Sequence, residues 1–334
     1  MKENKVRLKL ICAGAALLLL PHVAGPYWTN LLNDMGLYTI LGLSLNIILG
    51  QCGLFNMGHA AFYAVGAYTA AILATNFAVP ILWTLPLAGL LSGLFALLVA
   101  RPVIHLRGDY LLVVTIGIVE IVRITLVNNV FGLTGGSNGL LITNPISIFG
   151  FEIFKPLHFY YLILSLATIT IVLFSRLQNS RFGRALNYIK HDELAAEGNG
   201  VDTTHYKLAA FVLGAVWAGM LGVIFAAKIE TVSPQSFTYS ESVLLFAIVI
   251  LGGPGSIPGV LLGAFLITGL PELFRELQSY RLLLFGAAMV MMMIFRPQGL
   301  IPPRSRSYDV KAYLGRFPCA VRSGTLPPET GGVR

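Results

Sequence analysis

Runs of apolar residues about twenty long recur through this chain, and they leave it few folds. The stretches 82–100, 110–128, 158–175 and 206–227 are each long enough, at about 1.5 Å per residue, to cross a hydrocarbon core roughly 30 Å thick. Several carry at most one charge. Over 334 residues, 56% are hydrophobic and only 11% charged, against roughly 25% charged in an ordinary soluble domain. This excludes a soluble enzyme and predicts an all-α, polytopic transmembrane helical bundle.

Hydropathy places segments at 8–27, 31–50, 58–77, 82–100, 110–130, 158–176, 206–227, 242–252, 256–270 and 282–295, or about 8–10 spans. The first run follows Lys2, Lys5, Arg7 and Lys9, as a signal peptide would. Pro21 and His22 stand where cleavage is expected, and further spans follow at once, so it reads as an uncleaved helix. With the N-terminus cytoplasmic, 18 Lys and Arg fall inside and 4 outside, with Arg123 in a span. The positive-inside rule requires that asymmetry, provided that 242–270 enters and returns. Residues 1–303 then form the transmembrane domain. Residues 304–334, basic and rich in Pro and Gly, read as a disordered cytoplasmic tail. The net charge of +8 follows from topology, so membrane lipid is a partner and nucleic acid is not.

Two apolar segments are interrupted in the same way, by ILGQCG at 48–53 and ILGGPG at 250–255. Backbone freed from a helix at membrane depth is tolerated only where protein or a water-filled cavity satisfies it. Paired interruptions in transporters point to the transport pathway. The candidate pathway residues are therefore Gly50, Gly53, Asn56, Gly58 and His59 at the first break, and Gly252, Gly253 and Gly255 at the second. Asn56 stands where it can cap a helix beginning near Met57, with its positive end toward a substrate carboxylate. Close helix packing by small residues explains the same glycines equally well, and a packing role for His59 is the simpler one.

Other chemistry is sparse. Glu120 and Arg123 lie within a span, where an isolated charge costs about 2.5–3.5 kcal/mol; at i and i+3 they share a face and form an intramembrane ion pair. The six histidines are dispersed, and Cys12, Cys52 and Cys319 are scattered, so neither a metal site nor a disulfide framework is expected. No Ser/His/Asp or paired-carboxylate set shares a span face, so no catalytic residue is assigned.

The loop 180–205 is too long for a simple connector. From Arg184 to Glu197 it has good helix formers, with Leu186, Ile189 and Leu194 apolar among charged neighbours, and Gly198 and Gly200 stand where a helix would stop. Such a helix rests on lipid headgroups or docks into a partner's groove.

Its run DELAAEGNG (192–200) is similar to the EAA loop of ABC importer membrane subunits, with Ala195, Ala196 and Gly200 in register and Leu194 where the pattern has Glu. Together with GLSLNIILGQCGLFNMGHAAFYAVGAY (42–68), GDYLLVVTIGIVEIVR (108–123), TGGSNGL (134–140), LGGPGSIPGVLLGAF (251–265) and FRPQGL (295–300), it resembles the LivM-type membrane subunit of branched-chain amino acid ABC importers, over about residues 35–301. The resemblance implies a permease of the bacterial inner membrane with both termini cytoplasmic. It implies a LivH-type second permease subunit, two ABC ATPase subunits and a periplasmic binding protein. It also assigns ATPase coupling to Asp192, Glu193, Ala195, Ala196 and Gly200. The chain has no G-x-x-x-x-G-K-[ST] phosphate loop, so ATP is expected on the partners and no cofactor on this chain. Import of urea or short amides by the same architecture, an ion-driven secondary transporter and a membrane enzyme are the alternatives.

Overall fold

The computed structural model describes residues 2–106, 108–142, 147–148, 151–152, 155–273, 280–296 and 298–302. The tail expected to be disordered, 304–334, lies outside the described residues.

The stretch α1 (Lys2–Asn46) holds the first two apolar segments as two helices that meet at a kink, as the sequence separates them. The kink is Gly25, at φ +77° and ψ 168°, a conformation that glycine alone adopts at little steric cost. A π turn, Ile47–Gln51, continues α1 to the first break. Then come α2 (His59–Phe77), α3 (Leu85–Val103), α4 (Asp109–Val127) and α5 (Pro156–Asn179). Two short helices, α6 (Arg181–His191) and α7 (Glu193–Gly198), precede the long α8 (Thr203–Ile229). Helix α9 (Tyr239–Gly252) leads into the second break. Beyond it lie α10 (Ile257–Ala264), a π turn (Phe265–Gly269), α11 (Leu270–Leu273) and α12 (Arg281–Phe295). Among the described residues, six helical stretches are long and apolar enough to cross a membrane: Gly25–Gln51, His59–Phe77, Ile81–Val103, Asp109–Val127, Pro156–Asn179 and Thr203–Ile229.

The stretches at α9 and α10–α11 are shorter. They form the expected enter-and-return pair. A Cβ on Gly252 would lie 2.3 Å from the Gly259 carbonyl oxygen, and one on Gly263 would lie 2.2 Å from that of Ile248. Contacts that pair 252 with 259 and 248 with 263 define an antiparallel hairpin packed through glycine.

The core is built around α8, whose neighbours α2 and α3 approach through small residues. A Cβ on Gly66 would lie 2.0 Å from the Gly219 oxygen, and one on Gly222 would lie 2.4 Å from that of Tyr63. The Ser92 hydroxyl lies 2.9 Å from the carbonyls of both Phe62 and Ala215, bridging three helices. Lipid tails are as apolar as leucine, so close backbone approach and buried hydrogen bonds hold membrane helices together. At the end of the bundle away from α6 and α7, the strand β1 (Leu140–Leu141) pairs with β4 (Thr231–Val232); β2 (Ser147–Ile148) and β3 (Phe151–Glu152) form a small hairpin.

Candidate functional site

The two interruptions, about 200 residues apart in sequence, meet in space. Asn46, in the last turn of α1, accepts a hydrogen bond from the Gly255 N–H through Oδ1 at 2.7 Å. The approach leaves no room for a side chain: a Cβ on Gly50 would lie 2.0 Å from that oxygen and 2.3 Å from the Gly255 nitrogen. Gln178, at the end of α5, donates to the Gly255 carbonyl at 3.1 Å. Gly253 (φ +121°) and Gly255 (φ +93°) turn the chain, and Ser256 caps α10 by accepting from the Gly259 N–H at 3.2 Å. The FRPQGL segment closes the second break, because Leu300 and Ile301 donate to the Leu251 and Gly252 carbonyls at 3.0 and 3.1 Å. The Leu251, Gly252 and Gly255 carbonyls and the Gly255 N–H at the second break are thus satisfied by protein.

After the first break, Gly53 (φ +77°) starts an irregular run to Gly58. Helix α2 begins at His59 rather than near Met57, and Gly58 is its N-cap. Just before it, Asn56 Oδ1 accepts from the Gly58 N–H at 2.7 Å, the bond that an N-cap side chain makes two residues on. The Ala60 N–H is taken by the Ser242 hydroxyl of α9 at 3.1 Å, and the Ala61 N–H by the Gly58 carbonyl. These two donors are satisfied within the fold. His59 is fully buried. The Ser44 hydroxyl donates to the Leu41 carbonyl and sits 2.7 Å from His59 Nε2. His59 Nδ1 is buried without a protein partner. Asn56 Nδ2 is likewise buried without one. Asn56, Gly58, Phe62, Thr115 and Phe211 line a small cavity of about 10 Å³, room for a single water.

The loop between α5 and α8 folds as two helices where one is expected. Asp192 takes an extended conformation (φ −155°) and caps α7, accepting from the Ala195 N–H at 3.0 Å. That favourable cap breaks the helix. Helix α6 buries Ala185, Leu186 and Ile189 against the bundle, the amphipathic face that the sequence shows. Leu194 does not join it: it is 67% exposed, as Tyr188 is 62% exposed on α6. Of the residues to which the resemblance assigns coupling, Asp192, Ala195 and Gly200 are exposed, while Ala196 is only 4% exposed. Glu193 binds Lys207 Nζ at 2.5 Å, and Gly200 turns at φ +80°. Asp202 caps α8 by accepting from the His205 N–H; that bond, together with the His205 ring, holds its carboxyl below the usual carboxylate range.

One side chain joins this loop to the breaks. Lys190 Nζ donates to the Gly50 carbonyl at 2.7 Å, and its stem packs over Gly53. Burial lowers the Lys190 pKa from the usual lysine range. Neither Lys190 nor Lys207, Asn46, Gln178 and Ser242 stands out in the sequence. The available signal is a polar residue inside an apolar run, as with Asn46 in LSLNIILG.

Glu120 and Arg123 form the expected pair, with Nε to Oε2 at 2.8 Å. It lies on α4, the span with the smallest buried share. No group of three or more His, Cys, Asp or Glu able to hold a metal occurs among the described residues.

Comparison with known proteins agrees with this architecture. Residues 27–295 match the family described as branched-chain amino acid transport system / permease component. The high-affinity branched-chain amino acid transport system permease protein LivM of Salmonella typhimurium is 41% identical over 289 residues, 80% of this chain and 68% of that protein. The protein of the same description from Escherichia coli is 40% identical over the same shares. LivH of Salmonella typhimurium is 23% identical over 288 residues, 79% of this chain and 91% of that protein. No solved structure matches. With its paired helix breaks joined and a short helical loop tied to them, the chain belongs to the branched-chain amino acid transport system permease family.

Proposed function

We propose that this chain is one of two membrane subunits of an ATP-driven importer that carries branched-chain amino acids across the bacterial inner membrane into the cytoplasm. A LivH-type subunit completes the pathway, two ATPase subunits dock from the cytoplasm, and a periplasmic binding protein delivers the amino acid. Both termini are cytoplasmic in this reading, and ATP is bound and hydrolysed only by the partners.

One observation carries the reading. The α6–α7 loop presents Tyr188 and Leu194 outward while Lys190 ties it to the Gly50 carbonyl in the first break. Exposed apolar side chains on a short helix suit a groove on a soluble partner, and a displacement of that helix is felt directly at membrane depth. Through Gly255 and Asn46 the second break moves with the first. The test is uptake of labelled leucine by cells carrying this chain and its LivH-type partner, with and without the ATPase subunits. Uptake that needs the ATPases agrees; ATPase-independent uptake driven by an ion gradient overturns the reading.

A further inference from the structure

A second, larger cavity opens at the end of the bundle that carries α6 and α7. Its volume is about 260 Å³, far above the roughly 10–15 Å³ that one ordered water needs, so it admits a small organic molecule. Leu111 lines both this cavity and the small one at Asn56.

The walls divide into two kinds. Leu54, Phe55 and Leu106 supply an apolar surface, and Lys190, Glu193 and Lys207 supply charge. A lysine ammonium has three donors; Lys190 gives one to Gly50 and Lys207 gives one to Glu193. Both keep donors for a carboxylate. Glu193 meets Lys207 through Oε1, which leaves Oε2 as an acceptor for an ammonium. Two cations and one anion leave these walls at net +1, which disfavours a simple cation; an ammonium at Glu193 and a carboxylate at the lysines each meet an opposite charge, a pairing that a lone anion or a lone cation does not make. An aliphatic side chain fits the apolar wall. We propose that this cavity binds a zwitterionic aliphatic amino acid as the release station of the pathway, an inference that rests on the importer reading above.

The test uses the complete importer in nanodiscs with Cys12→Ser, Cys52→Ala and Cys319→Ser, and Phe55→Cys as a maleimide probe; Leu106→Cys is a second probe in case the first disturbs folding. Each comparison is made on one protein with and without ligand. Leucine at about ten times its half-protecting concentration is expected to slow labelling roughly tenfold. Leucinol, which lacks the carboxylate, isocaproate, which lacks the ammonium, and inorganic phosphate are expected to leave the rate unchanged. Glu193→Gln and Lys190→Met should each remove the protection by leucine. If leucine fails to protect either probe in an importer that still drives ATP-dependent leucine uptake, the site is overturned and the importer reading stands. Protection by isocaproate or phosphate equal to that by leucine overturns the zwitterion assignment. Absence of ATP-dependent leucine uptake by the unsubstituted importer overturns the importer reading itself.

Discussion

At the scale of single residues, the junction of the two breaks rests on what glycine lacks. A methyl group at Gly50 meets the Asn46 side chain and the Gly255 nitrogen well inside contact distance. Gly50→Ala is therefore expected to force the breaks apart and cost about 1–3 kcal/mol, as overpacking does; thermal unfolding in detergent checks this, and an unchanged midpoint would deny the contact. Ser242 reaches from α9 to cap the start of α2. Ser242→Ala should cost about 1 kcal/mol, the usual loss for a removed cap, with faster hydrogen exchange at Ala60 as its local signature. The glycine pattern that marks this junction was legible in the sequence, because Gly-Gly-Pro-Gly cannot continue a helix. Its partner Lys190 was not, since the bond to Gly50 spans 140 positions and no periodicity reports it.

At the scale of elements, the α6–α7 loop shows where pattern reading stops. Leu186, Ile189 and Leu194 suggest one apolar face only if the helix is continuous, and the Asp192 cap turns the chain between them. Leu194 then faces outward and Ala196 inward. Leu194→Asp is expected to leave the fold intact and abolish ATPase docking and uptake, whereas Ala196→Asp should destabilise the loop by burying a charge. Unfolding midpoints and ATPase pull-down separate the two outcomes; equal destabilisation by both would contradict the assigned faces. The Asp202 cap of α8 makes a pH prediction. Its carboxyl lies below the usual carboxylate range, so its contribution is fully present above the unfolded value of about 3.9. It is lost as pH falls through the lower native value. The stability difference between wild type and Asp202→Asn should be present at neutral pH and vanish in that acid range; a difference independent of pH would contradict the cap's ionic character.

At the scale of the whole molecule, composition alone made the helical membrane bundle legible, because burying so many apolar residues with so few charges leaves no soluble solution. The two interruptions look alike along the chain, and nothing in that likeness reports that Gly255 meets Asn46 across 209 positions. In the proposed function, work done by the ATPase subunits enters this bundle through α6 and α7. The most direct test places a photocrosslinker at Leu194 in membranes from cells expressing the importer. Crosslinking to the ATPase subunit, weakened or shifted when nucleotide is added, is the result expected. Crosslinking to lipid alone, or labelling of the same position by an impermeant reagent from the periplasmic side, would contradict it.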